Sequence, residues 1–230
     1  MAVVRRIPAT VGYITDHGNH VYTVGLIPTE PVPRFIPGQF LHLALDPVDP
    51  GGFWPESRAF SIASSPQQKD ELTITYTGGG DFTARLERNL APGLEVWLKL
   101  PYGDFIVEGS RDAVIFAGGT GITAFTAFIA SLRPETAPNI RLFYGARRAD
   151  LFVYRDLIIE RARVVPAFRA HFISQNSQGI LRAELAWPEA AELADPLFYL
   201  SGPPAMIAAL GTQLRARGIT AERIRTDAWE

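Results

Sequence analysis

Through about residue 105 the apolar residues fall in short extended runs: "HVYTVGLI", "QFLHLAL", "RAFSIAS", "ELTITYT" and "LEVWLKL". These runs are rich in β-branched and aromatic side chains, and several alternate apolar with polar positions, the period of a half-buried strand. Between them stand "PVPRFIPG", "DPVDPGG", "SSPQQKD" and "APG", stretches whose Gly and Pro residues turn the chain. Such spacing predicts an antiparallel barrel or sandwich. One interruption, "DFTARLERNL", predicts a helix with Asp81 as its N-cap.

From about residue 111 the pattern changes. "AVIFAG", "IRLFYGA", "FRAHFIS", "LFYLSG" and "RIRTDA" predict strands, and "TAFTAFIASL", "FVYRDLIIERA" and "PAMIAALGTQLRARG" predict helices between them. Strands alternating with helices give βαβ units and a parallel sheet. The expected fold class is therefore β followed by α/β. An antiparallel β-barrel domain is expected over 1–108 and a parallel α/β domain over 109–230, with the seam near "FIVEGSRD".

Composition narrows the function. The chain has 230 residues, 47 % of them hydrophobic and 20 % charged, enough to bury a core and too apolar for disorder. A formal charge of −2 offers no basic field for nucleic acid. No apolar run approaches the roughly 20 residues that span a bilayer, and no signal-peptide core follows Arg5 and Arg6, so a cytoplasmic location is expected. The absence of cysteine removes a catalytic thiol, a thiolate zinc site and a four-thiolate iron–sulfur cluster. His17 and His20 flank a Gly-Asn turn and read as polar hairpin residues; no metal site is expected.

Several short stretches carry candidate chemistry. In "FAGGTGITAF", Gly119, Gly121 and Ala124 satisfy G-x-G-x-x-A between a strand and a helix, where glycine lets the backbone approach a pyrophosphate. A tight strand–helix turn explains the same residues. The next strand ends "YGARR" and lacks the acidic residue that usually holds a ribose; Arg147 and Arg148 suit phosphate oxygens, and solvated surface charge explains them equally well. In "TGGGDFTARL" the backbone of Gly78–Gly80 and the Thr83 hydroxyl fit a second phosphate pair or a loose hairpin loop. In "SRAFSIASS", strand geometry puts Arg58 and Phe60 on one face and Ser61 on the other. "SGPPAMI" opens a helix after Ser201 and Gly202, with Pro203 at an early helical position. The chain ends "RTDAWE", and Trp229 there fits packing or a cover for a flat ligand.

Taken in order, Arg-x-aromatic-Ser, Gly-x-x-Thr before a helix, "PYGDF", "GGTGI", "YGARR", "SGPP" and a terminal aromatic resemble the ferredoxin–NADP reductase superfamily of flavoenzymes, over essentially the whole chain. The resemblance implies a six-stranded flavin-binding barrel followed by a nucleotide-binding α/β domain. It implies that Arg58 binds flavin phosphates, Phe60 stacks on the isoalloxazine and Ser61 hydrogen-bonds near flavin N5. Gly80 and Thr83 match the family's pyrophosphate element, which favours FAD over FMN. Gly118, Gly119, Thr120 and Gly121 would face the nicotinamide cofactor's pyrophosphate, with Gly202 and Pro203 beside it. Ser201 stands where the family generally has cysteine. "DAWE" looks closest to the diflavin reductases, which implies a carboxylate role for Asp227 near the reacting carbon and an indole over the flavin for Trp229.

The implied activity is an NAD(P)H-dependent flavoprotein reductase in which hydride passes from NADH or NADPH to FAD, with Ser61, Ser201 and Asp227 tuning the site. Members of the resembled family that prefer the 2′-phosphate often carry Ser/Thr-Arg after the third strand of the α/β domain. Here Ser174 is followed by the uncharged Gln175, which leans to NADH because a 2′-phosphate gains most from a guanidinium, unless Arg147 or Arg148 supplies one. With no cysteines and no room for a second flavin domain, electrons are expected to leave for a separate ferredoxin, flavodoxin or oxygenase component. The alternatives are reduction of free flavin or ferric chelates, and a flavin-bearing relay subunit without NAD(P)H turnover of its own.

Overall fold

The fold is described from a computed structural model, in which residues 3–49 and 51–227 are described. Contacts along the chain divide it into two compact units, Met1–Ile106 and Val107–Glu230.

The first unit contains β1 (Arg5–Asp16), β2 (Val21–Pro28), β3 (Phe40–Ala44), β4 (Ser57–Ser61), β5 (Leu72–Thr77), α1 (Asp81–Asn89) and β6 (Glu95–Tyr102). The six strands form one sheet in the order β4-β3-β6-β1-β2-β5, antiparallel throughout. The Ala63 N–H donates to the Thr73 carbonyl at 2.8 Å, and the Thr73 N–H donates to Ser64 Oγ at 3.1 Å. Those bonds draw the β4 and β5 edges together into a nearly closed barrel. Ile7, Leu26, Leu41, Leu43, Ile74 and Leu98 fill it, and α1 adds Phe82 and Leu86 to the same core. Each such side chain contributes about 1.5–3 kcal/mol by leaving water.

The strand runs read from the sequence all appear, and β1 is added to them. Its alternation of buried Ile7, Ala9 and Val11 is regular, but Pro8 and Gly12 interrupt the strand signal. The register with β2 shifts between Val11 and Tyr13, a bulge that absorbs Gly12. The N-cap of α1 is Gly80, and Asp81 is the first helical residue. That corrects the capping expectation, and Asp81 still complements the positive end of the helix.

The second unit contains β7 (Ala113–Gly118), α2 (Thr123–Ser131), β8 (Ile140–Ala146), α3 (Arg155–Val164), β9 (Phe168–Ser174), α4 (Gln175–Gln178), α5 (Trp187–Ala190), β10 (Leu197–Ser201), α6 (Pro204–Ala216) and β11 (Ile224–Thr226). Its sheet has the order β11-β10-β7-β8-β9, parallel throughout. Strand β7 is the centre: the chain continues to β8 and β9 on one side, then returns to β10 and β11 on the other. The crevice beyond the carboxyl ends of β7 and β10 is thus the topological switch point, the place where open α/β sheets take ligands. Every residue of β7 is buried, as a strand covered on both faces requires.

Helix α3 begins at Arg155, later than the apolar pattern suggests, because Tyr154 at its N-cap takes a left-handed φ of 60°. The one-turn helices α4 and α5 escape the sequence pattern, being too short to show a period. Helix α5 nevertheless holds Glu189, whose carboxylate lies 2.9 Å from Nε of the buried Arg141 in β8. Among the described residues, no helix is long and apolar enough to cross a membrane.

Candidate functional site

In the first unit, β4 and the start of α1 bring the expected flavin residues together. Arg58 is exposed and its guanidinium lies 5.3 Å from the Phe82 ring centre, beside the first turn of α1. It donates to the Ser57 carbonyl at 2.9 Å and reaches Glu56 at 3.4 Å. The turn itself is ordered by Thr83: Oγ1 accepts from the Gly80 N–H and donates to the Gly80 carbonyl, both at 3.0 Å. An exposed guanidinium at a helix N-terminus, where first-turn N–H groups lack intrahelical acceptors, is a donor set for phosphate. Phe60 and Ser61 follow on the same strand, and both are buried. The Phe60 ring packs 5.9 Å from Tyr76 and keeps 8 % of its surface.

Arg85, on α1, was not singled out from the sequence. It donates to Asp46 at 2.9 and 3.1 Å and to Glu56 at 2.7 Å, tying the 45–56 loop to the helix that carries the turn. Two hydrogen-bonded carboxylates raise its pKa further.

His17 and His20 do not converge. His17 Nε2 lies 2.9 Å from Thr23 Oγ1, whereas His20 Nδ1 faces Glu87 at 3.1 Å.

In the second unit the switch point is built from two loops in backbone contact. A Cβ on Gly121 would stand 2.5 Å from the Ser201 carbonyl oxygen and 2.6 Å from the Gly202 nitrogen, so only glycine fits. Gly119 takes φ +53° and its Cβ would point into open space; the 3₁₀ turn Gly119–Ile122 then leads into α2. The tight-turn reading thus holds at Gly121, where the backbone packs closely, while nothing packs where a Gly119 Cβ would point.

Ser201 closes β10 with no exposed surface, and its Oγ donates to Asp227 Oδ2 at 2.9 Å. The Asp227 N–H in turn donates to the Leu200 carbonyl at 2.9 Å, which continues the β10–β11 pairing. Gly202 and Pro203 follow, and Pro203 caps α6. Trp229 lies outside the described residues.

At the far side of this crevice β8 and β9 end side by side, with Ala146 opposite Ser174. The Asn176 N–H donates to the Arg147 carbonyl at 3.2 Å, which ties the Arg147 backbone to the turn after Ser174. Arg148 forks onto Asp150, and that contact holds the Asp150 carboxyl below its usual range. Arg147 has no acidic partner among the described residues.

Comparison with known proteins decides the family. Residues 115–211 match the family described as the oxidoreductase NAD-binding domain. The phenol 2-monooxygenase reductase component DmpP of Pseudomonas sp. (strain CF600) is 34 % identical, with 81 % of this chain and 55 % of that protein aligned. The crystal structure of Amycolatopsis cytochrome P450 reductase GcoB is 25 % identical, superposes with a TM-score of 0.80, and covers 99 % of this chain and 70 % of its own. The chain belongs to the ferredoxin–NADP reductase superfamily. A further superfamily relative, the reductase component of propane 2-monooxygenase from Mycolicibacterium smegmatis (strain ATCC 700084 / mc(2)155), is 28 % identical over 91 % of this chain. The chain spans 63 % of that relative's length and 55 % of DmpP's.

Proposed function

We propose that this superfamily member is an NAD(P)H-dependent flavoprotein reductase that binds FAD in its first unit, Met1–Ile106, and NAD(P)H in its second, Val107–Glu230. Bound FAD converts a two-electron hydride donor into a source of single electrons. The observation that carries the reading is the pairing of Ser201 with Asp227 at the switch point, where a strand end, a glycine turn and a carboxylate meet in a parallel sheet.

The residues present fit both groups. Arg58 and the Gly80–Thr83 turn offer a charge-assisted donor and backbone N–H groups for two phosphates, and Phe60 and Ser61 close the strand where a ring would lie. In the second unit the uncovered Gly119 backbone, with Gly118, Thr120 and Gly121, offers N–H groups to a pyrophosphate. Pro203 and Gly202 border the same crevice. Ser174 and Arg147 stand where the adenosine end of a nucleotide would lie, and Arg148 is committed to Asp150. Ser201 holds the Asp227 carboxylate in one orientation, and that carboxylate is the group available to steady positive charge on a nicotinamide. Catalysis here is positioning more than proton transfer.

The relatives' names describe reductase components of monooxygenases, and we assign this chain an oxygenase component as its electron acceptor and a cytoplasmic setting. The test is steady-state turnover with the purified chain: NADH oxidation coupled to one-electron reduction of ferricyanide, and chromatography of the flavin released by heat. FAD release with turnover supports the reading. FMN in the supernatant, or NADH oxidation no faster than free flavin gives, overturns it.

A further inference from the structure

An open groove of about 580 Å³ indents the second unit at the end of the sheet opposite the switch point. Its lining includes Trp187 of α5, Leu193, Phe198 near the start of β10, and Arg217 and Ile219 just beyond α6. Phe198 stands three residues before Ser201 in β10, about 10 Å along a strand. Ligands of parallel α/β sheets gather at the carboxyl ends of the strands, so neither proposed cofactor accounts for this hollow.

Its chemistry is asymmetric. The floor is apolar: Phe198 and Leu193 are buried. The rim is cationic. Asp195 is the one acidic residue in the lining, and its carboxylate is already shared between Arg111 at 2.8 Å and Arg223 at 3.1 Å. Arg217 has no ion-pair partner among the described residues. Its guanidinium is held over the Trp187 ring, 5.4 Å from the centroid, a stacking that orders the fork while leaving its N–H edge to accept an anion.

We propose that this groove is a binding site for a small aromatic carboxylate, its ring on the apolar lining of Trp187, Leu193 and Ile219 and its carboxylate on Arg217. The size lies within the roughly 300–1,000 Å³ of small-molecule sites, and a planar carboxylate is the anion that a guanidinium fork matches in two hydrogen bonds. Charge complementarity selects this occupant over a neutral arene, which would leave the Arg217 edge unmatched.

Titration calorimetry of the full chain with 1-naphthoate tests the assignment, with 1-naphthamide as the neutral comparator. The expected result is saturable binding of one naphthoate per chain, at least tenfold tighter than the amide and unchanged by saturating NAD⁺. Arg217→Gln, at an exposed position, should weaken it at least tenfold. Ala191→Trp, which fills the groove from its exposed edge, should abolish it. Failure to bind in the millimolar range overturns the proposal. So does binding indifferent to Arg217→Gln and Ala191→Trp, or binding displaced by NAD⁺. Dimerisation of the chain that both substitutions disrupt overturns it too, since the groove would then hold a second copy. Loss of NADH turnover would end the reductase reading and leave these outcomes untouched.

Discussion

Ser201 Oγ and Asp227 Oδ2 stand 2.9 Å apart, the serine donating and the carboxylate accepting. Because Ser201 is fully buried and its one hydroxyl proton is committed to Asp227, it acts as a positioning residue for that carboxylate. Ser201→Ala should therefore slow anaerobic flavin reduction by NADH about tenfold, near 1.4 kcal/mol of barrier. Asp227→Ala should cost more, and the double variant no more than Asp227→Ala alone. Stopped-flow rates for the four proteins form the cycle. Additive losses would mean that Ser201 touches the nicotinamide itself.

Gly121 is bound to its identity by backbone. A methyl there meets the Ser201 carbonyl and the Gly202 nitrogen, atoms that cannot rotate away. Gly121→Ala should destabilise the second unit by about 1–3 kcal/mol, the usual cost of overpacking, and weaken nucleotide binding by spreading the two loops. Denaturant midpoints and NAD⁺ titration read the two effects, and an unchanged midpoint would contradict the packing.

In the proposed site, Arg147 is the cation left free of an acidic partner, among the described residues, for a 2′-phosphate. NADH should be the better donor by kcat/KM, since Gln175 lacks charge. The residual NADPH activity should fall about tenfold in Arg147→Ala while NADH activity holds. Arg148→Ala should change neither by more than about twofold, its fork being occupied by Asp150. A tenfold preference for NADPH in the parent would reverse the assignment.

Acid should loosen the barrel. Burial first, then the neighbouring Lys99 ammonium, lower the His42 pKa below its ordinary 6.5, and burial lowers that of His17 against the opposing Asp16. A base whose pKa is depressed by folding binds its proton more readily when unfolded. The barrel thus has its full stability above the ordinary histidine value and loses it progressively as pH falls below it. Urea midpoints should drop between about pH 7.5 and 5.5, and His42→Gln should reduce the slope. A slope unaffected by the substitution would assign the loss to other groups.

Much of this was legible in the sequence because the signals were local. The alternation in "LTITYT" and the continuous apolar run "AVIFAG" place β5 and β7 directly, and their contrast separates the two sheets. The exposed Arg58 and the Gly80–Thr83 turn were recognisable as types and spacings. What was missed depends on distant residues. Strand β1 is broken by Pro8 and Gly12 and becomes regular only once β2 and β6 flank it. The Ser201–Asp227 bond needs β11 laid beside β10, a pairing 26 residues apart. Alternation placed Arg58 and Phe60 on one face but not their burial: Arg58 is exposed, while Phe60 is packed against Tyr76, a residue of another strand. The groove under Arg217 gathers α5, β10 and the end of α6, which no single stretch announces.

Arg58, exposed beside the first turn of α1, is the charged donor of the proposed flavin-phosphate site. Arg58→Ala should lower FAD occupancy after gel filtration by at least tenfold and leave the fold intact, as the Arg85 contacts to Asp46 and Glu56 keep the loop in place. Absorbance per chain and far-ultraviolet dichroism measure both. Full occupancy in the variant would move the phosphate site elsewhere.

The central claim is that this chain takes hydride from a reduced nicotinamide onto its own FAD. Anaerobic mixing of the FAD-loaded protein with one equivalent of NADH in a stopped-flow cell tests it directly. The visible flavin band should bleach with one NADH consumed per flavin, more slowly when C4 of the nicotinamide carries deuterium in the transferred position. A flavin that stays yellow with NADH and with NADPH, yet bleaches with dithionite, would contradict the account and leave a relay protein without nicotinamide chemistry of its own.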